Sequence, residues 1–287
     1  MRDQAEALRV LMREKSLCCG GVINPPRVFT VAVTSGKGGV GKTSLAVNLA
    51  LLLSRSGRRV RLVDADFGLS NAEVMLGLKP RYTLRDVLAG NVDVRDAWIE
   101  GPRGVLLLSS GSGMEDVANI DASTGLAVLE QIQLSATDGD VIVIDTSPGI
   151  NDSVTALLTF ADEVMMVTTP EPTSITDSYA AIKVLMSRSS DSDVTLVVNC
   201  CSSPTQAAAI ADGLDRVCKR FLRRSFSRHE YLPQDVAMGW AVKTQKPLAL
   251  SSSHSTCESW LRKIAIRLDE RMRNKIAEAA QAELVRA

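Results

Sequence analysis

Eight residues constrain this chain more than any other stretch. Gly36-Lys37-Gly38-Gly39-Val40-Gly41-Lys42-Thr43 fits G-x-x-x-x-G-K-[ST]. It stands between an apolar β-branched run, Val28–Thr34, and a segment with helical spacing, Lys42–Ser56. The placement matters as much as the letters. The glycines allow a tight turn whose backbone N–H groups point inward at phosphate oxygens, and the following helix adds the positive end of its dipole. In such a loop the backbone of Gly38, Gly39, Val40 and Gly41 cradles ATP and Lys42 reaches the β- and γ-phosphates. Thr43 offers a hydroxyl to Mg2+ and Ser44 bonds the α-phosphate.

The rest of the chain supplies a frame for that loop. Further apolar runs of strand length occur at Arg59–Asp64, Asp140–Asp145, Glu163–Thr168 and Asp193–Asn199, with additional strands read at Gly104–Ser109 and Ser225–Leu232. Helical spacing fills Ser153–Ala161, Thr173–Ser187 and Thr205–Leu222. Strand–helix alternation of this kind predicts an α/β fold, a mostly parallel sheet with helices on both faces. The 45% hydrophobic content is enough for one sizeable core, and no linker divides the middle. Three segments are expected: residues 1–27, a short polar helix and a joint broken by Gly20-Gly21 and Pro25-Pro26; residues 28–255, the nucleotide domain; and residues 256–287, a terminal amphipathic helix.

Charge and cysteine usage exclude several classes. Thirty-three Lys and Arg balance 33 Asp and Glu, so no global field calls for a polyanion. The six cysteines form no C-x-x-C pair and read as reduced thiols of a cytoplasmic protein. Charges along residues 2–15 leave no apolar signal-peptide core. A metal-cluster role needs cysteines near the phosphate site, and none occurs between Cys19 and Cys200.

Lys37 is not required by a simple phosphate loop. With it, Lys37–Thr43 resembles the deviant Walker A motif of the MinD/ParA class of ATPases, and that resemblance implies that Lys37 crosses the interface of an ATP-bound homodimer to the partner's phosphates. Leu62-Val63-Asp64-Ala65-Asp66-Phe67-Gly68-Leu69 resembles switch I of that class. The likeness makes Asp66 the residue that orients the attacking water and touches Mg2+ through water, with Asp64 as its support. Val141–Asp145 resembles the Walker B strand, so Asp145 holds Mg2+ through water, and Thr146–Gly149 becomes switch II. Asn199 matches the asparagine that reads the adenine edge, and Leu232-Pro233-Gln234-Asp235 resembles the loop that closes over the base, giving Pro233 a nucleotide contact.

Two stretches narrow the type. Asp64–Asn71 and Glu171–Tyr179 resemble the flagellar-number regulators of the FlhG/FleN type. Asp3-Gln4-Ala5-Glu6-Ala7-Leu8-Arg9 matches the D-Q-A-x-x-L-R element through which such proteins stimulate an SRP-type flagellar GTPase, FlhF. The resemblance makes Asp3, Gln4, Ala5, Leu8 and Arg9 partner-binding residues. It also implies further partners among flagellar basal-body components or a transcriptional regulator, and a peripheral position at the inner-membrane face of the cell pole. The terminal helix carries an apolar stripe at Leu261, Ile264, Leu268, Met272, Ile276 and Ala280 beside many cations. That stripe fits either a membrane surface or packing against the domain. A DNA-segregation ATPase of the ParA kind is the competing function; its basic surface would be Arg216, Lys219, Arg220, Arg223 and Arg224. A solvated helix end is the preferred account of that run.

Overall fold

The central strands form where the sequence is mostly apolar, because every residue of Phe29–Thr34, Val60–Ala65, Val141–Thr146 and Glu163–Thr168 is buried. The computed structural model describes residues 26–66, 68, 70–111, 122–189, 192–226, 228–251 and 255–286. The D-Q-A-x-x-L-R element at residues 3–9 lies outside the described residues. In chain order the strands are β1 (Phe29–Thr34), β2 (Val60–Ala65), β3 (Ile99–Glu100), β4 (Leu106–Leu108), β5 (Val141–Thr146), β6 (Glu163–Thr168), β7 (Val194–Cys201) and β8 (Arg228–Pro233). The helices are α1 (Lys42–Arg55), α2 (Ala72–Leu76), α3 (Leu84–Leu88), α4 (Val94–Ala97), α5 (Ala122–Ser135), α6 (Asp152–Phe160), α7 (Pro172–Arg188), α8 (Pro204–Leu222), α9 (Val236–Lys243) and α10 (Thr256–Arg286).

The sheet runs β3-β4-β2-β5-β1-β6-β7-β8 and is parallel except for β3, which pairs antiparallel with β4 at the edge. Alternate residues of one strand therefore enter different cores. Val31 and Val33 of β1 join Val143, Met165 and Val197 under α1 and α10, while Ala32 joins Ile144, Val164 and Leu196 under α6, α7 and α8. The order places β1 between β5 and β6, so the chain leaves β1 to opposite sides. Parallel sheets bind ligands outside the carboxyl ends of the strands at such a switch point.

α1 is apolar nearly all round and is enclosed accordingly. Leu45, Val47, Leu49, Leu51 and Leu53 are all buried, and the polar interruption Asn48 spends its amide on Ser44 O (2.7 Å) and its carbonyl on Ala249 N (2.9 Å). The cover is α10. Leu261, Ile264, Leu268 and Met272 are buried against α1 in the same core, with Ile276 partly buried beside them. Trp260 meets Tyr231 edge-on at 4.8 Å.

Of the two fates open to that stripe, the fold takes packing on the domain. Four such side chains contribute roughly 6–12 kcal/mol of burial, which lipid contact through the same face would have to forgo. The helix expected as a separate segment from 256 is in this respect part of the core. Ions reinforce it. Arg271 grips Glu163 through two bonds of 2.8 and 2.7 Å, Arg267 bonds Glu230 at 2.7 Å, and Arg58 bonds Asp269 at 2.6 Å. Among the described residues no helix is long and apolar enough to cross a membrane.

Candidate nucleotide site

The loop between β1 and α1 is shaped by what presses on it. Gly36 lies against the backbone of α7: a Cβ there would sit 2.2 Å from the carbonyl carbon of Asp177, which no side chain tolerates. Gly41 opens α1 in the left-handed region at φ 96°, and a Cβ would come within 2.5 Å of the Asn199 amide nitrogen. Ser35 Oγ donates to Lys37 O at 2.6 Å and Gly149 N donates to Ser35 O at 2.9 Å, tying the loop's base to the segment after β5.

Carboxylates gather beneath the loop because β2 and β5 pair in parallel with Asp64 opposite Asp145. Both are enclosed. Burial first, then the neighbouring charge of Asp64, pushes the Asp145 carboxyl up to about 8; the Thr43 hydroxyl and Lys42 pull the other way. No hydrogen bond of ordinary geometry reaches either oxygen of Asp145. Burial likewise raises Asp64 to about 6 against the bonds it accepts. Lys42 is buried, and desolvation lowers its pKa while Asp145 and then Asp66 raise it. A buried ammonium beside an unpartnered carboxylate is incomplete on its own. An oxygen-binding dication and a polyphosphate would supply the missing partners.

Asp64 works as a hub rather than as a ligand. Its Oδ1 accepts from Asp66 N at 3.0 Å and its Oδ2 from Ser70 Oγ at 3.0 Å and from Asn71 N and Ala72 N at 3.1 Å each. Ser70 Oγ also lies 2.8 Å from Ser109 Oγ, which donates to Glu73 at 2.5 Å. Asp66 sits above Asp64 at the end of β2, with Oδ1 accepting from Ser147 Oγ at 3.1 Å and from Gly68 N at 3.2 Å. The donors that could hold a divalent cation are thus the Thr43 hydroxyl, Asp145 and Asp66, and their hard oxygens suit Mg2+.

Asn199 reaches the loop through an irregularity in β7, whose register with β8 shifts between Val198 and Cys201, with Cys200 in the left-handed region at φ 57°. Its Nδ2 donates to Val40 O and its Oδ1 accepts from Cys200 N, both at 2.8 Å. One N–H and one lone pair remain for a base edge. Pro233 ends β8 opposite Cys201, and Asp235 then caps α9 through Ala237 N at 2.9 Å and holds Cys257 N at 3.0 Å. Ser44 faces Met75 at 4.0 Å from its sulfur. Lys37 lies outside the cluster: its Nζ pairs with Glu171 at 2.7 Å and Thr173 Oγ1 at 3.0 Å, with the lysine side chain 39% exposed. Sequence reading placed Ser70, Ser109 and Ser147 within its segments without giving them a role and did not single out Ser110; the one signal for Ser109, Ser110 and Ser147 was a polar residue just after a buried strand.

Residues 28–267 match the family model described as ParA, NUBPL iron-transfer P-loop NTPase. The chain belongs to the ParA/MinD family of P-loop NTPases. As a family member it is an ATPase, and within the family it resembles the FlhG/FleN type. It is 36% identical over 249 residues to the antiactivator FleN of Pseudomonas aeruginosa, covering 87% of this chain and 88% of FleN. It is 34% identical over 226 residues to the flagellum site-determining protein YlxH of Helicobacter pylori, covering 76% of this chain and 74% of that one. MinD of Pyrococcus horikoshii, solved with Mg-ADP, shares the fold at TM-score 0.72 and 24% identity over 84% of this chain and 96% of that one. MinD in the MinC:MinD complex of Aquifex aeolicus superposes at TM-score 0.68 with 26% identity, covering 84% and 96%. Among the described residues no group of three or more His, Cys, Asp or Glu side chains is placed to hold a metal ion.

Proposed function

We propose that this ParA/MinD-family ATPase is a nucleotide-switched homodimer that controls flagellar number or placement. The observation that carries the reading is the partly exposed Lys37 at the second position of a phosphate loop, in a chain that aligns with FleN over 87% of its residues. In this reading Lys42 and the backbone of Gly38 to Thr43 hold the ATP phosphates and Ser44 bonds the α-phosphate. Asn199 and Pro233 receive the base with the valences that Asn199 has left. Thr43, Asp145 and Asp66 hold Mg2+, the two aspartates through water. Mg2+ supplies charge neutralisation on the phosphates. Asp66 orients the attacking water with a carboxylate already fixed by Ser147.

Lys37 gives the dimer its reason. A second cation near the transferred phosphoryl neutralises its developing charge only when two protomers face each other, so hydrolysis is coupled to assembly. ATP makes the dimer and turnover dissolves it. Residues Asp3, Gln4, Ala5, Leu8 and Arg9 dock on the SRP-type GTPase FlhF. Basal-body components or a transcriptional regulator take the output, and any position at the inner face of the polar membrane comes through such partners rather than through the buried α10 stripe.

The test is sizing chromatography of Asp66→Ala in saturating Mg-ATP. A stable dimer is expected, whereas a variant that stays monomeric contradicts the switch. A peptide of residues 1–15, with and without Gln4→Ala, added to an SRP-type flagellar GTPase tests the partner. DNA segregation is the weaker reading, since Lys219 is paired with Asp215 at 2.6 Å and Arg224 bonds Ser189 O at 2.9 Å.

A further inference from the structure

Asp66 is held at more points than a loop residue needs merely to fold. Its amide donates to Asp64 Oδ1 at 3.0 Å, its carbonyl accepts from Ser110 Oγ at 2.9 Å, and its carboxylate accepts from Ser147 Oγ and Gly68 N. Two of these restraints lead to the end of β4, a short strand near the sheet edge that carries none of the expected site residues. Ser110 bonds Asp66 directly. Ser109 acts one step back, touching Ser70 Oγ at 2.8 Å, which donates to the Asp64 carboxylate that receives the Asp66 amide.

The two serines are themselves fixed. Ser109 Oγ bonds Glu73 at 2.5 Å and accepts from Gly111 N at 3.2 Å, and its carbonyl accepts from Leu84 N at the start of α3 at 2.7 Å. Both residues are fully enclosed. A buried hydroxyl is costly unless it is bonded, and a fully bonded network rigidifies what it touches.

We propose that Ser109 and Ser110 are positioning residues for the hydrolysis step, holding both peptide groups of Asp66 so that its carboxylate stays aimed at the attacking water. The inference rests on the reading of Asp66 as the residue that orients that water. Misplacement by a fraction of an ångström is enough to slow a positioned reaction, so the loss of one such bond reads out in turnover and not in nucleotide binding.

The experiment is steady-state ATPase kinetics of the full chain with Mg-ATP, with ATP affinity measured by calorimetry, for Ser110→Ala, Ser110→Thr, Ser109→Ala and Asp66→Asn. Ser110→Ala is expected to lower kcat about three- to tenfold with KM and ATP affinity within about twofold. Ser110→Thr, which keeps the hydroxyl, is expected to restore kcat. Ser109→Ala is expected to lower kcat by a similar factor and melting temperature as well, so Ser110 is the deciding position. An unchanged kcat in Ser110→Ala, a fall matched by lost ATP affinity, or a Ser110→Thr variant of unchanged melting temperature that fails to recover overturns the proposal. Full turnover by Asp66→Asn would instead overturn the reading of Asp66 on which it rests.

Discussion

Replacing Arg271 by alanine tests whether α10 belongs to the cooperative core. Arg271 Nε and Nη2 bond Glu163 at 2.8 and 2.7 Å, and its Nη1 lies 3.8 Å from Glu230. The two glutamates are 1% and 3% exposed. Without the guanidinium, Glu230 keeps Arg267, but Glu163 is left with the Thr195 hydroxyl at 2.8 Å. Breaking a buried pair from one side costs about 3–5 kcal/mol, and the partial exposure of Arg271 argues for the lower end. At about 2 °C per kcal/mol for a domain of this size, melting falls by about 6 °C. The assay is calorimetric or urea unfolding of nucleotide-free protein, which avoids ligand linkage. Glu163→Gln should recover part of the loss, with a coupling above about 1 kcal/mol in the double-mutant cycle. Melting within about 1 °C of the parent refutes the reasoning. That is the behaviour of a terminal helix that detaches without disturbing the sheet.

The remaining predictions concern the site and its frame. Asp145→Asn should abolish Mg-dependent ATPase activity while the protein stays folded, because it removes the buried carboxyl that faces the cation site; parental turnover in the variant contradicts this. Gly36→Ala should cost more than about 3 kcal/mol, since its Cβ meets Asp177 backbone at 2.2 Å, whereas Gly39→Ala, with open space but φ 76°, should cost about 1 kcal/mol by urea unfolding. Asp140 is buried, which raises its pKa, but bonds from Thr137 and Arg61 outweigh this and hold it below the ordinary value. Its contribution to stability is therefore complete above about pH 4 and disappears as pH falls through the lower folded value, so Asp140→Asn should flatten the acid limb of the stability curve below pH 4. An equally steep limb in the variant counts against it.

The parallel strands were legible because a strand covered on both faces must be apolar throughout. Glu163–Thr168 is read at its observed bounds, β1 differs by one residue at its start, and β2 and β5 are each displaced by one residue at both ends. The two-residue β3 and the short α2, α3 and α4 are set by tertiary contacts that no local period records. The same limit applies in the site. Lys42 and Thr43 follow from spacing, but the opposition of Asp64 and Asp145 comes from β2 pairing with β5 across many intervening residues. Likewise the stripe of α10 announces a buried face without saying what buries it. The fold supplies that answer as α1.

The cover of α1 comes late in synthesis. The helix that follows the phosphate loop is closed by side chains made roughly 200 residues afterwards, which at about 5–20 residues per second is an interval of about 10–40 s. During translation the face of the leucine-rich helix that α10 covers stays open for that interval, a transiently exposed apolar surface of the kind that favours aggregation. A stop codon before Leu261 would leave the face of α1 that α10 covers exposed to solvent.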